Sequence, residues 1–233
     1  MKLNKSKKVL IGGGKFQLIG PNEKLSKPMN LKKSKLKPLE KSSQETIDNW
    51  FRRSAWTNQG TKESMFQRSS KIKRIHITFI QLLKNNPAKE KKVLVVGLAK
   101  GNEASFIKNQ FKTAEIDSFD IVNMIEDQHK RNIKNRITSK LGIENYRDKK
   151  MIGKYDGITA VFSAGYWTDY PERNILKMSL MLRPQGVALI SVKSNFKKAH
   201  YEKLNKIFDK FQLTEMFDIK LNTNINALII KRK

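Results

Sequence analysis

The sequence predicts an α/β fold in which a doubly wound, mostly parallel sheet ends in an antiparallel β-hairpin. Apolar runs recur at 93–96, 158–163 and 187–192, and a helical pattern follows each of them. Such runs are typical of buried parallel strands, because both faces of the strand are covered and the usual alternation is lost. Strands that alternate with helices favour a doubly wound sheet. A short loop, Asn222–Ile225, separates the last two strands, as in a hairpin.

A basic extension and helices precede this sheet. The 233 residues include 48 Lys and Arg against 21 Asp and Glu, a net charge of +27. Residues 1–92 hold 23 basic and 6 acidic residues, a net charge of +17. A surplus of this size indicates a polyanionic partner, most simply RNA, whose phosphates the cations neutralise. We divide the chain into a basic, intrinsically flexible extension (1–41), a helical region (42–92) and the α/β domain (93–233).

Several classes of protein are excluded by composition. The chain has no cysteine, which rules out disulfides and cysteine-ligated zinc and fits a reducing intracellular compartment. The sequence does not distinguish cytoplasm, nucleolus and mitochondrial matrix. No run of about 18 apolar residues is present, so no membrane partner is expected. The histidines His76, His129 and His200 lack the spacing of metal ligands and are interpreted as surface or packing residues.

The helical region begins at Ser42, which opens a capping box with Glu45. Arg52, Arg53 and Trp56 follow the first apolar turns. Arginines interleaved with aromatic rings are typical of single-stranded RNA contacts. The alternative is that the tryptophans anchor a core.

A second helix is predicted from Glu63 to Asn85, because apolar residues recur there every three or four positions and Pro87 follows. Its opposite face is basic and is a candidate phosphate-binding surface: Arg68, Lys71, Lys73 and Arg74. The alternative is an ordinary solvated face.

The α/β domain then follows in order. Strands are predicted at 93–96, 115–119, 158–163, 187–192, 215–221 and 226–230. Helices are predicted at 102–111, 126–139 and 172–181, and another contains Tyr201 to Phe211. Residues 182–186 are predicted to form a turn, since Pro184 and Gly186 lie there.

Four features in a fixed order resemble the class I S-adenosylmethionine-dependent methyltransferases. They are the glycine turn Gly97-Leu98-Ala99-Lys100-Gly101, an acid about twenty residues later, the segment Leu182-Arg183-Pro184-Gln185-Gly186 before an apolar strand, and the terminal hairpin. The resemblance covers 93–233 and is closest to fibrillarin and the FtsJ-like RNA 2′-O-methyltransferases. It implies a Rossmann-like sheet, S-adenosylmethionine as cofactor and RNA as substrate.

The resemblance also implies roles for individual residues in the cofactor site. Gly97 and Gly101 would let the backbone approach the methionine part of the cofactor. Asp120 would accept the ribose hydroxyls, with Asp117 as the alternative if the strand register shifts. Where the family has an aspartate after its fourth strand, this chain has Ser163 or Ala164.

Lys193 directly follows a buried strand and is the main catalytic candidate. In the resembling enzymes this lysine belongs to a Lys-Asp-Lys-Glu set that deprotonates and orients the ribose hydroxyl. It would act as a general base or steer phosphate. Asp169 is the acid nearest to the missing aspartate, and Asn226 stands near the family's glutamate. The set is therefore incomplete.

Trp167 lies between Tyr166 and Tyr170 in the loop after the fourth strand, where the superfamily holds its target group. These rings would stack on a base or pack as a hydrophobic lid.

These observations are compatible with two functions. One is an RNA 2′-O-methyltransferase. The other is a catalytically inactive methyltransferase-fold subunit of a ribosome or other ribonucleoprotein, which the basic extension and the incomplete set favour. A DNA-binding regulator is less well supported, because no helix-turn-helix pattern is evident.

Overall fold

The computed structural model describes residues 15–16, 29–30, 70–98, 101–120, 125, 127–138, 143, 148–165, 171–197 and 199–233. The predicted capping box at Ser42 lies outside these residues, as do Ala99 and Lys100 of the glycine turn. The same holds for five candidate site residues: Arg52, Arg53, Arg68, Trp167 and Asp169.

A seven-stranded sheet forms the centre of the described domain. The strands are β1 (Lys15–Phe16) and β2 (Met29–Asn30), which pair only with each other, and β3 (Lys92–Val96), β4 (Glu115–Asp120), β5 (Asn135–Thr138), β6 (Tyr155–Ala160), β7 (Leu182–Ser191), β8 (Phe217–Asn222) and β9 (Ala227–Arg232). The helices are α1 (Ser70–Lys84), α2 (Asn102–Gln110), α3 (Asp127–Lys130), α4 (Pro171–Met181) and α5 (Ala199–Lys210).

The sheet has the strand order β5-β4-β3-β6-β7-β9-β8. β5, β4, β3, β6 and β7 are parallel, and β9 pairs antiparallel with both β7 and β8. The predicted doubly wound sheet with a terminal hairpin is confirmed. The reversed strand was expected at the edge of the sheet, but β9 lies one position in from it, because it pairs with β7 on one side and with β8 on the other.

Helices cover both faces of the sheet. Alternate residues of β3 divide between two apolar cores, with Leu94 and Val96 on the face that α4 and α5 cover. Val93 and Val95 belong to the opposite core with α1 and α2. All four side chains are buried, which explains the continuous apolar run in the sequence.

Helix α1 lies on the second of these faces. Its buried residues recur at helical spacing and include Ile75, Phe79 and Leu83. An ideal Cβ on Gly157 of β6 would lie 2.9 Å from Phe79 and from Leu83, so the absence of a side chain there admits the helix. The contact joins the helical region to the sheet.

One predicted helix is wrong. In place of a long helix over 126–139, the chain forms the single turn α3 and then β5. β5 pairs in parallel with β4, from Asp117 opposite Asn135 to Asp120 opposite Thr138. This edge strand is mostly exposed, so its sequence lacks the apolar pattern that marks the inner strands. Backbone pairing with β4 decided the structure there.

The predicted turn at 182–186 is part of β7 instead. Tyr155 pairs with Leu182 and Gly157 with Val187, so four residues of β7 bulge opposite one of β6. Gln185 lies at the bulge with φ of 63°.

Among the described residues, no helix is long and apolar enough to span a bilayer.

Candidate active site

Gly97 lies at the carboxyl end of β3 and has a φ of 73°. Its amide donates to the Phe119 carbonyl at 2.8 Å, which ties the turn to β4. An ideal Cβ on Gly97 would lie 2.2 Å from Cβ of Ser163. Both the backbone conformation and the packing therefore require glycine at this position.

Gly101 precedes α2 and has a φ of 103°. An ideal Cβ there would lie 2.6 Å from Cβ of His129 in α3. No side chain caps the N-terminus of α2. The His129 ring is hydrogen-bonded through Nδ1 to Ser105 Oγ at 2.7 Å, so α3 is fastened to the first turn of α2. The backbone at Gly101 thus packs directly against His129, and the first amides of α2 have no side-chain cap.

Asp120 is the last residue of β4, level with Thr138 of β5, and it is half-buried. It therefore lies at the same edge of the sheet as Gly97. Asp117 does not, because it lies in the middle of β4 with its carboxylate already bound. That carboxylate accepts hydrogen bonds from Lys154 Nζ at 2.5 Å and from Tyr155 Oη at 2.9 Å. Of the two candidate ribose acceptors, Asp120 is therefore the one that lies at the edge of the sheet.

Ser163 follows β6 and lies against the glycine turn. Its hydroxyl donates to the Val96 carbonyl at 2.6 Å. Phe162 before it has a φ of 48°, which is unusual for an aromatic residue, and its amide donates to Ser191 Oγ at 2.5 Å. Strained backbone thus follows β6 and is bonded to the last residue of β7, at the edge where open α/β sheets bind ligands.

Lys193 lies just beyond β7 at this edge and is exposed. Asn226 approaches the same point from β9, because its carbonyl accepts from the Val192 amide at 2.9 Å. Asn226 also has a left-handed backbone, with φ of 47°. The structure therefore brings Lys193 near the residue that stands in place of the family's glutamate.

A buried ionic cluster that the sequence analysis missed lies behind the glycine turn. His76 Nε2 of α1 is 3.0 Å from Glu103 Oε1 of α2, and Thr159 of β6 donates to the same oxygen at 2.8 Å. His76 Nδ1 donates to the Ile72 carbonyl at 2.9 Å. Burial lowers the pKa of His76, but the charge and hydrogen bond of Glu103 and the Ile72 carbonyl outweigh it, so that its pKa is raised.

A second missed cluster lies between α4 and α5. His200 Nδ1 is 2.7 Å from Glu172 Oε1, and Lys203 Nζ is 3.2 Å from the same oxygen. The Glu172 side chain is 2% exposed. Burial raises the pKa of Glu172, but the bonds from His200 and Lys203 and a backbone amide lower it on balance. Glu172 is therefore ionised at neutral pH.

Both clusters had weak signals in the sequence. His76 shares the apolar face of α1, since it falls four residues after Ile72 and three before Phe79. Glu172 falls in the first turn of a helix, where acids are common. Neither pattern identifies the partner, because the partners lie 27 or more positions away in the chain.

The proposed RNA-binding residues are only partly described. Lys73 and Arg74 are exposed on α1, on the side away from its buried face. Lys71 belongs to the same helix, and its side chain lies outside the described residues.

Structural comparison places the fold among methyltransferases of known structure. The N-methyltransferase NodS from Bradyrhizobium japonicum WM9, in complex with S-adenosyl-L-homocysteine, superposes with a TM-score of 0.54 at 15% identity, over 79% of this chain and 98% of that one. The plantazolicin methyltransferase BpumL, in complex with a monoazolic desmethylPZN analogue and SAH, gives 0.59 at 14%, over 84% and 94%.

A third similar structure is the 1,6-didemethyltoxoflavin-N1-methyltransferase from Burkholderia thailandensis, with a TM-score of 0.51 at 13% identity over 82% of this chain and 86% of that one. No family model and no curated protein matches the chain. At these identities the comparisons establish the methyltransferase fold that the sequence resemblance implies.

Proposed function

We propose that this chain binds S-adenosylmethionine and transfers its methyl group to RNA. The observation that carries the proposal is the meeting of Gly97, Asp120 and Ser163 at the carboxyl ends of β3, β4 and β6. In open α/β sheets ligands bind at this edge. The similar structures of NodS and BpumL are complexes with S-adenosylhomocysteine, which supports the same class of cofactor here.

The residues at this edge fit such a cofactor. Gly97 and Gly101 have left-handed backbones without side chains, and α2 begins without a side-chain cap. Their backbone would approach the methionine part, while the Asp120 carboxylate would accept hydrogen bonds from the ribose hydroxyls. Ser163 takes the place of the family's aspartate. When bound, the cofactor supplies a methyl group on a reactive sulfonium, so positioning of the acceptor provides most of the rate.

RNA is favoured as the acceptor by charge. The net charge of +27 and the exposed Lys73 and Arg74 on α1 suit a polyanion. The finer proposal is transfer to a ribose 2′-oxygen. It rests on Lys193, which is exposed beyond β7, and on the resemblance to fibrillarin and the FtsJ-like enzymes. Asp169 is the candidate for the missing aspartate, and with Asn226 in place of the glutamate the set stays incomplete.

Calorimetry with S-adenosylmethionine tests the cofactor site. We expect micromolar binding by the unaltered chain and loss of binding in Asp120→Ala. Asp218→Ala is the matched control, because this partly exposed carboxylate lies on β8, at the far edge of the sheet. If the unaltered chain does not bind S-adenosylmethionine, the proposal that it is a methyltransferase is refuted.

A second candidate is a methyltransferase-fold RNA-binding subunit of a ribonucleoprotein that has no catalytic activity. Two observations favour it. The Ser163 hydroxyl is hydrogen-bonded to the Val96 carbonyl, and Asn226 carries an amide that cannot act as a base. This candidate predicts RNA binding without cofactor binding. Deletion of residues 1–41 should then flatten the salt dependence of RNA affinity, and an unchanged dependence would refute a role for the extension.

A further inference from the structure

The pair of Glu172 and His200 has the geometry of a carboxylate-oriented proton acceptor. Glu172 is the second residue of α4 and His200 the second of α5. The Glu172 side chain is 2% exposed, whereas the His200 side chain is 39% exposed. The imidazole is stacked on Phe196, with ring centroids 5.4 Å apart and planes 18° apart. One end of the ring is therefore fixed inside the protein, and the ring reaches the surface.

The bonding determines which nitrogen carries the proton. A carboxylate only accepts, so Nδ1 of His200 must donate to Glu172 Oε1 at 2.7 Å. In the neutral ring Nε2 then has a free lone pair, which can accept a proton. Glu172 stabilises the imidazolium that results, and Lys203, 3.2 Å from the same oxygen, opposes it. His200 and Lys203 thus share one carboxylate oxygen of Glu172.

Contacts along the chain place the pair at the edge that carries the glycine turn. Asn174 of α4 donates through Nδ2 to the Ala164 carbonyl at 2.7 Å, directly after Ser163, which bonds to Val96. On the other side, the Phe196 amide donates to the Lys193 carbonyl at 3.0 Å. The pair thus lies at the starts of the two helices that follow β6 and β7, on the side of the sheet where those strands end.

We propose that Nε2 of His200 takes the proton of the methyl acceptor, with Glu172 as its positioning residue, an assignment that rests on the proposed function. The proton of the acceptor hydroxyl passes to Nε2, and the oxygen electron pair forms the new bond to the methyl carbon. The electrons of the broken carbon–sulfur bond stay on sulfur. Release of the proton to water restores the neutral ring. His200 would thus act as the base, which leaves Lys193 the alternative role of steering phosphate.

The test uses the full chain, S-adenosylmethionine and an unmodified ribosomal RNA transcript. His200→Gln should bind the cofactor within twofold of the unaltered chain and lose at least about 100-fold in transfer rate. The pH dependence of its transfer rate should also differ from that of the unaltered chain, because the proposed base is absent. Lys206→Gln, an exposed change on the same helix, should leave both measurements unchanged. The chain has three histidines, so the His200 ring resonances can be assigned by NMR.

Glu172→Gln provides the readout that does not depend on transfer. It should change the His200 ring resonances in the NMR spectrum, because Nδ1 loses its charged acceptor. Glu202→Gln, which alters an exposed carboxylate on the same helix, should leave the His200 resonances unchanged. Cofactor binding and transfer with an unaltered rate in His200→Gln would overturn the assignment alone. Failure of the unaltered chain to bind the cofactor or methylate the transcript would overturn the proposed function and the assignment together.

Discussion

His76 Nε2 and Glu103 Oε1 lie 3.0 Å apart between α1 and α2, with side chains that are 2% and 10% exposed. The pair joins the helical region to the helix that follows the glycine turn. Breaking a buried ion pair leaves a charge without its partner, so Glu103→Gln should lower the free energy of unfolding by about 3 kcal/mol. Urea denaturation measures this loss, and the exposed Glu202→Gln should change stability little.

The same pair predicts a pH dependence of stability. The pKa of His76 is raised above 6.5 in the folded chain. Its contribution is therefore complete below 6.5 and is lost as pH rises through the higher folded value. Unfolding free energies measured across this range should fall on the alkaline side, and Glu103→Gln should remove the fall. A wild-type curve with the same slope as the variant would contradict the assignment.

Gly97 and Gly153 form a matched pair for testing the glycine turn. Both have left-handed backbones, with φ of 73° and 62°. A Cβ on Gly97 would clash with Ser163 at 2.2 Å, whereas one on Gly153 would meet only Arg232 at 3.7 Å. Gly153→Ala should cost about 1 kcal/mol for backbone strain, and Gly97→Ala about 3 kcal/mol in total.

The double variant Gly97→Ala with Ser163→Gly separates the two costs. Removal of the Ser163 side chain should recover the steric part and leave the backbone part. Thermal or urea unfolding of the four chains in this cycle measures the coupling between the positions. Additive losses would show that Ser163 is not what requires glycine at 97.

The inner part of the fold was predictable because burial leaves a pattern. Val93–Val96 and Val187–Val192 are covered on both faces, and continuous apolar runs report that directly. The edge strand β5 was not predictable, since its exposed residues carry no such pattern and only its pairing with β4 makes it a strand. The bulge at Gln185 was not predictable either, because Pro184 and Gly186 are compatible both with a turn and with a bulged strand.

The candidate site likewise has a part that the sequence predicts and a part that it does not. Gly97 and Asp120 could be placed at one edge from the strand order, because parallel strands end together. The contacts that join Glu172 to His200 and Glu103 to Thr159 depend on how helices pack over the sheet. Neighbours in sequence carry no information about such pairs.

Asp117 and Asp120 should separate stability from cofactor affinity. Asp117 accepts from Lys154, Tyr155 and Asn135, so Asp117→Asn should lower the unfolding free energy by about 2 kcal/mol. Its affinity for S-adenosylmethionine should stay within twofold. Asp120→Asn should weaken binding at least tenfold. Calorimetry on both variants, with denaturation curves, checks the two effects, and equal losses of affinity would refute the assignment of Asp120.

The exposed cations of α1 give the sharpest test of the RNA proposal. Lys73 and Arg74 are neighbours on the solvent side of the helix, so the double variant Lys73→Gln with Arg74→Gln should leave the fold intact. Each phosphate contact that is lost should reduce the slope of log affinity against log salt by about 0.7 to 0.9. Lys220→Gln on β8, which removes one exposed charge far from α1 along the sheet, serves as the control. Filter binding of an RNA transcript at several salt concentrations measures the slopes. A double variant whose slope equals that of the unaltered chain would show that α1 faces solvent and that RNA binds elsewhere.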